Sequence, residues 1–176
     1  MQDRFRGLIS NAETVIKKCA LLNDAMNHLE VPVIVTEQYP KALGNTVPEI
    51  IVERDKTAVF EKKLFSMLTD EVRSSLHANG RTQVILCGIE AHVCVLQTAL
   101  DLVEMGMSVQ LVCDAVSSQR QYDRLMALER MKSCGVTMTT TESVLFDLMK
   151  SADHSKFRVI SNLVKDHNSL KLEDFN

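Results

Sequence analysis

One short stretch of the chain combines a glycine, a carboxylate, a histidine and a thiol within seven residues. This stretch, GIEAHVC at residues 88–94, joins an apolar run with strand character to an apolar run with helix character. Free backbone N–H groups and the positive end of the helix dipole concentrate where a helix begins, and both stabilise a thiolate. The same N–H groups can bind an oxyanion. The pattern predicts a nucleophile at Cys94; the alternative is that Cys94 only packs on an apolar helix face.

A cysteine nucleophile needs a base or a cation beside it. Lys62 and Lys63 follow a predicted strand at 57–60, and an ammonium group at the carboxyl end of a strand would stabilise a thiolate. The alternative is that both lysines are solvated at the surface. His92 is nearer to Cys94 in sequence, but side chains two residues apart at a helix start point in different directions. We therefore expect His92 in a pocket wall or at the surface.

The composition excludes several classes of function. A chain of 176 residues with 45% apolar and 24% charged residues suits one globular domain, predicted over residues 1–176. A net charge of −3 without a basic run argues against a nucleic-acid partner. No apolar run has the length of a membrane span, and no signal peptide is recognised, so no membrane partner is predicted.

The five cysteines indicate a reducing compartment. Their number is odd, and neither a CxxC motif nor a Cys/His metal spacing occurs. The chain is accordingly predicted to be cytoplasmic. Four of the five thiols are predicted to be small core residues, namely Cys19, Cys87, Cys113 and Cys134.

Strands and helices alternate along the chain. Near-continuous apolar runs predict strands at 33–36, 57–60, 83–87, 108–113 and 136–139. Helical periodicity or helix-end signals predict helices at 10–29, 68–77, 91–104, 120–132, 142–150 and 157–164. A polar tail follows the last helix. The first helix has capping-box spacing at Ser10 and Glu13. This alternation predicts a three-layer α/β/α fold with a parallel, Rossmann-like sheet.

Sites in such sheets lie beyond the carboxyl ends of the strands. This rule selects residues 37–44, 61–67 and 88–94, and more weakly 114–120. In the first of these, Glu37, Gln38 and Tyr39 are candidates for a pocket lining. The alternative is a structural turn around Pro40.

Several stretches together resemble one family. GIEAHVC resembles the nucleophile turn of the isochorismatase-like cysteine hydrolase superfamily. TEQYPKALG at 36–44, the segment 62–67, DAVSS at 114–118 and TTTES at 139–143 resemble isochorismatase domain-containing proteins, in the same order. The resemblance extends from Met1 to about Lys165.

This resemblance implies a fold and a mechanism. The fold would be a six-stranded parallel sheet between helices, and the catalytic groups would be an aspartate, a lysine and a cysteine. By motif, Cys94 corresponds to the nucleophile and Lys62, rather than Lys63, to the lysine. A cis peptide bond between Ile89 and Glu90 would turn backbone N–H groups toward a substrate oxygen.

The resemblance also implies a substrate and an assembly. The substrate would be a small molecule, either an amide or a vinyl ether, and the protein a homo-oligomer, a dimer or larger. The predicted substrate-binding residues are Glu37, Gln38, Tyr39, Glu90, Ala91 and His92.

The chain departs from the family pattern in two ways. The family's aspartate ends a first strand that would lie just before Met1, where the match begins. We expect either that the numbered chain begins downstream of the real start or that another segment fills the gap in the sheet. Asp3 lies three residues too late and is predicted to be a surface or helix-start carboxylate. Without the aspartate, the alternative is a catalytically impaired binding or scaffold member of the fold.

The second departure concerns metal. Nicotinamidases of this superfamily hold a metal with an aspartate and several histidines on the loop after the second strand, whereas residues 37–48 contain no histidine. We therefore predict no metal and no cofactor.

Overall fold

The structure, a computed structural model, describes residues 1–53 and 57–170. In chain order its elements are α1 (Ala12–His28), β1 (Ile34–Gln38), α2 (Pro40–Leu43), β2 (Ala58–Lys62), α3 (Asp70–Asn79), β3 (Gln83–Ile89), α4 (Leu96–Glu104), β4 (Ser108–Ser117), α5 (Gln121–Ser133), β5 (Thr137–Thr139), α6 (Thr141–Met149) and α7 (Phe157–Asn168). A π-helical turn, Ala91–Val95, leads directly into α4. The predicted polar tail includes residues 171–176, which lie outside the described residues.

The strands form two parallel sheets. β1 pairs with β2 in one sheet, and β4 pairs with both β3 and β5 in the other. Every pairing is parallel, as the near-continuous apolar runs predict. Because parallel strands end at the same edge, the carboxyl ends of β1 and β2 meet, as do those of β3 and β4.

Helices cover both faces of the three-stranded sheet. Successive residues of a strand point to opposite faces. On β4, Leu111 packs into an apolar cluster formed with α4 and α5, whereas Val112 packs into a second cluster formed with α1, α6 and α7. The α/β prediction, with helices on both sides of parallel strands, is therefore confirmed.

Helix α1 forms because its apolar residues repeat at helical spacing. Val15, Ile16, Cys19, Leu22 and Ala25 are all buried on one side. The predicted capping box is wrong. The helix begins after Asn11, which has a left-handed φ of 54°, and Glu13 Oε1 accepts from Arg6 instead.

None of the described helices combines the length and apolar character that crossing a bilayer requires.

β1 and β3 face each other across a gap. The resemblance implied one six-stranded sheet, but the described residues form five strands in two sheets. Residues of both β1 and β3 line a cavity of about 980 Å³. Among the described residues, β1 pairs with β2 and β3 pairs with β4, so the other edge of each of these two strands is unpaired.

Candidate active site

Two polar side chains meet where β1 and β2 end. Gln38 and Lys62 are the last residues of these strands and are partners in the parallel register. The predicted strand ended at residue 60, so the observed β2 carries Lys62 within the strand rather than after it. Lys62 is only 6% exposed, although lysine is almost never buried without specific partners.

The Lys62 ammonium has four close neighbours. Nζ donates to Gln38 Oε1 at 2.6 Å and to the carbonyls of Leu64 and Phe65 at 2.9 and 2.8 Å. Cys94 Sγ lies 3.7 Å from Nζ. Burial lowers the pKa of Lys62, whereas the charge of the Cys94 sulfur and the hydrogen bond to it raise this pKa. Among the described residues, none of these partners is acidic.

A tight turn brings Cys94 to this edge. Gly88 has a φ of 121°, a conformation that costs glycine little, and the peptide bond between Ile89 and Glu90 is cis, as the resemblance implied. The Glu90 carbonyl then accepts the N–H of Val95 at 3.1 Å. β3 therefore passes into the π-helical turn that carries Cys94 without an intervening loop.

Thr98 links the cysteine element to the lysine element, and sequence reasoning missed it. Its hydroxyl donates to the Cys94 carbonyl at 2.6 Å and accepts the N–H of Met67 at 2.8 Å. The side chain is buried, with 2% exposure. The sequence signal for this linking role is a hydroxyl four residues after Cys94, on an otherwise apolar helix face.

The cavity between β1 and β3 reaches both candidate catalytic groups. Its walls are mostly apolar and come from both strands and from the helices beside them. They include Ile34, Val35, Val84, Ile85, Leu22 and Leu68, and the lining also includes Lys62 and Cys94. Both candidate catalytic residues therefore belong to the wall of the same cavity.

Two of the predicted substrate-binding residues also line the cavity. Gln38 does so at the end of β1, and Glu90 does so at the turn. The Glu90 carboxylate accepts the N–H of Gln119 at 3.0 Å, which connects the turn to the segment after β4.

The structure places the other predicted pocket residues outside the cavity lining. Glu37 is 1% exposed and accepts the N–H of Thr46, so it supports the turn after β1. Tyr39 is 45% exposed, and its ring lies 5.3 Å from Lys63 Nζ. The structural-turn alternative thus describes Glu37 and Tyr39 better than a pocket lining does.

Ala91 and His92 also face away from the cavity. Ala91 is fully buried in the cluster with α4 and α5. His92 Nδ1 lies 2.9 Å from the Ser118 hydroxyl. The side chains beside Cys94 therefore diverge, as the short sequence spacing suggested for His92.

The remaining predictions concern carboxylates and metals. The Asp3 side chain is 77% exposed and lies 3.7 Å from Arg6 Nε, at the surface as predicted. Within residues 1–53 and 57–170, no three His, Cys, Asp or Glu side chains are grouped as metal ligands would be.

The other thiols lack a lysine neighbour of this kind. A hydrogen bond with Cys87 and burial hold the pKa of Cys19 well above its usual value. Burial raises the pKa of Cys113. The predicted core position of Cys134 is wrong, because this residue follows the last turn of α5 and is exposed. In the part of the chain that the structure describes, the ammonium–thiol contact occurs at Cys94.

The amino-acid sequence is similar to a known family. Residues 1–143 match the Isochorismatase domain. Isochorismatase domain-containing protein 2 from Danio rerio is 48% identical over 165 residues, which cover 93% of this chain and 83% of that protein.

Solved structures have the same fold. The MAR1 ribonuclease from Caenorhabditis elegans superposes with a TM-score of 0.89 at 38% identity, covering 99% of this chain and 88% of that chain. The YcaC gene product from Escherichia coli, described as an octameric hydrolase of unknown specificity, superposes with a TM-score of 0.84 at 22% identity, covering 95% and 86% of the two chains. At that identity the second comparison supports the fold alone.

Proposed function

This chain belongs to the isochorismatase family, and on that premise we propose that it is a metal-free cysteine hydrolase with Cys94 as nucleophile and Lys62 as its cationic partner. Family membership supports hydrolase-like chemistry. The observation that carries the assignment of roles is the 3.7 Å separation of Lys62 Nζ and Cys94 Sγ beside a cavity. An ammonium at this distance stabilises a thiolate.

The proposed reaction on an amide has two stages. The Cys94 thiolate attacks the carbonyl carbon, and a carbon–sulfur bond forms while Lys62 and backbone N–H groups of the turn stabilise the oxyanion. The carbon–nitrogen bond then breaks, and the amine leaves after gaining a proton. Water attacks the thioester, releases the acid and restores Cys94. Hydrolysis of a vinyl ether would not require this covalent step.

Selective alkylation tests the proposed nucleophile. Iodoacetamide near pH 6, followed by peptide mass mapping, is expected to label Cys94 much faster than the other four thiols. Lys62→Met is expected to slow this labelling about tenfold or more, because the nearby positive charge is lost. Lys63→Met is the matched control and is expected to have no effect, since Lys63 faces Tyr39. Equal, slow labelling of all five thiols would overturn the proposal.

The substrate is proposed to be a small amide or vinyl ether. The apolar cavity walls favour an uncharged body with one polar reacting group. The Caenorhabditis elegans structure is described as a ribonuclease, but this chain carries a net charge of −3, which disfavours an RNA substrate. A screen with amides, vinyl ethers and RNA tests this choice, and turnover is expected to be lost in Cys94→Ser.

A binding or scaffold protein without turnover is the second candidate. It is favoured by one observation: the Lys62 partners in the described chain are neutral oxygens and the sulfur, with no carboxylate to act as base. Loss of a general base typically costs about 10²–10⁴ in rate. Thermal stabilisation by a screened compound without product formation would favour this candidate over the hydrolase.

Assembly and location are part of the proposal. A homo-oligomer, a dimer or larger, is proposed from the resemblance to the isochorismatase family. Light scattering on the purified chain tests this, and a monomer at all concentrations would contradict it. A cytoplasmic location is proposed from the five unpaired thiols, which suit a reducing compartment.

A further inference from the structure

Three oxygens and the Cys94 sulfur share the three N–H donors of the Lys62 ammonium. An ammonium group has three N–H donors and no acceptor. Leu64 and Phe65 provide two carbonyls from the loop directly after β2. Gln38 provides the third oxygen from the neighbouring strand, at 2.6 Å, the shortest of these contacts. Within the described part of the chain, Gln38 is thus the one oxygen partner of Nζ that comes from outside the lysine's own segment.

The orientation of the Gln38 amide is fixed at both ends. Its Oε1 accepts from Lys62 Nζ, and its Nε2 donates to the carbonyl of Lys63 at 3.0 Å. A half-turn of the amide would direct two N–H groups at the ammonium and an oxygen at the carbonyl. Both contacts would then be repulsive, so only one orientation is compatible with this site.

A second glutamine holds the Gln38 backbone. Gln2 Oε1 accepts the Gln38 N–H at 2.7 Å, and Gln2 Nε2 donates to the Gln38 carbonyl at 2.9 Å. Gln2 is itself buried, at 6% exposure, and also donates to the carbonyl of Gly44. This pair of bonds fixes the end of β1 much as a neighbouring strand would.

We propose that Gln38 is a positioning residue, which holds Lys62 Nζ beside Cys94 through a neutral acceptor and leaves the ammonium charge available to the sulfur. The inference rests on the proposed function and deepens it, since it gives Gln38 a role beyond lining the pocket. A carboxylate at the same place would pair with the ammonium and reduce its effect on the sulfur. The amide fixes Nζ without this neutralisation.

Two variants of Gln38 test this role. Gln38→Glu keeps the length of the side chain and adds a negative charge beside Nζ. It is expected to move the midpoint of the pH profile of Cys94 alkylation upward by about one to three pH units. Gln38→Met keeps the length without an acceptor, so Nζ loses its fixed position, and Cys94 alkylation at pH 6 is expected to slow about tenfold.

The control places the same charge change elsewhere. Asn162→Asp makes the same amide-to-carboxylate change at an exposed position of α7, an element that carries neither Lys62 nor Cys94. It is expected to leave the alkylation midpoint unchanged. Thermal unfolding of every variant shows whether the protein remains folded, and a purely structural role for Gln38 would lower stability without moving the midpoint.

The outcomes separate this inference from the proposed function. If wild-type Cys94 is labelled selectively but neither Gln38 variant alters the profile, the positioning role is overturned and the hydrolase proposal stands. If wild-type Cys94 is labelled no faster than the other thiols, the proposed function fails. The positioning role fails with it, because there is then no activated sulfur to influence.

Discussion

The Thr98 hydroxyl donates a 2.6 Å hydrogen bond to the backbone carbonyl of Cys94, one helical turn earlier. The same oxygen accepts the N–H of Met67, which lies on the segment that follows Lys62. One buried hydroxyl therefore connects the element that carries the sulfur to the segment that follows the ammonium. We expect the separation of the two proposed catalytic groups to depend on it.

Thr98→Val is expected to lower both stability and Cys94 reactivity. The substitution keeps the shape but leaves the Met67 N–H without its acceptor, which costs about 1–3 kcal/mol. For a chain of this size that corresponds to roughly 2–4 °C in melting temperature for each kcal/mol. Cys94 alkylation at pH 6 is expected to slow because its distance from Lys62 is no longer fixed. Thermal unfolding and mass-resolved labelling measure the two effects.

Thr98→Ser is the matched control because it keeps the hydroxyl. It is expected to retain wild-type alkylation, with a small loss of stability from the deleted methyl group. If the serine and valine variants label Cys94 equally fast, the hydroxyl bridge does not position the sulfur.

The sequence predicted most elements of the fold but misjudged where several of them end. β2 extends to Lys62 and β3 to Ile89, each two residues beyond the predicted end. Strand ends depend on pairing with neighbouring strands, which hydrophobic pattern alone does not show. The four-residue helix α2 has no signal in the sequence, since one turn is too short to produce a periodic pattern.

The candidate site was only partly predictable. The motif selected Cys94 and Lys62, and the structure brings them to 3.7 Å. Thr98 and the support from Gln2 were missed, because these contacts join elements that are far apart in sequence. Spacing alone predicts that His92 points away from Cys94. It does not predict the partner of His92, Ser118, which is 26 residues away in sequence. Such partners become visible only when the sheet register is known.

The alkaline side of the pH–rate profile is expected to report Lys62. Burial lowers the pKa of Lys62 below its ordinary value of 10.5, so the ammonium loses its proton at a lower pH than an exposed lysine. Turnover is therefore expected to fall as pH rises toward 10.5, because the neutral amine does not stabilise the oxyanion. Lys62→Arg, whose guanidinium stays charged, is expected to lack this fall at its lower absolute rate. The same alkaline fall in both proteins would assign it to another group.

His167 is expected to weaken the fold at acidic pH. Burial lowers the pKa of His167, the charges of Lys18 and Lys17 lower it further, and Asp114 partly opposes them. The folded protein thus binds a proton at His167 less readily than the unfolded chain does. By linkage, the contribution of neutral His167 to stability is fully present above its pKa in the unfolded chain, about 6.5. This contribution is lost as pH falls toward its lower pKa in the folded protein.

His167→Asn removes this titration while keeping a polar side chain. We expect the free energy of unfolding of the wild type to fall relative to that of the variant as pH falls. Urea unfolding from pH 7.5 to 5 measures this difference. His154→Asn is the control, because His154 is only partly buried near the start of α7. A difference that stays constant across this range would contradict the assignment to His167.

The gap between β1 and β3 is expected to accept an extended apolar peptide. Both strand edges line the apolar cavity, and Lys62 lies at the end where β1 and β2 finish. We expect a seven-residue apolar peptide, matched to the length of β3, to raise the melting temperature when added to the chain. If its last residue is aspartate and the peptide pairs parallel to β1, the carboxylate lies near Lys62 as a general base for Cys94, so turnover is expected to rise by about 10²–10⁴.

The same peptide ending in asparagine separates binding from catalysis. It is expected to stabilise the chain to a similar extent without increasing turnover, because a neutral amide does not accept the thiol proton. Stabilisation by both peptides with no turnover from either would favour the scaffold alternative. If neither peptide changes the melting temperature, the two strand edges do not form a binding site for an added strand.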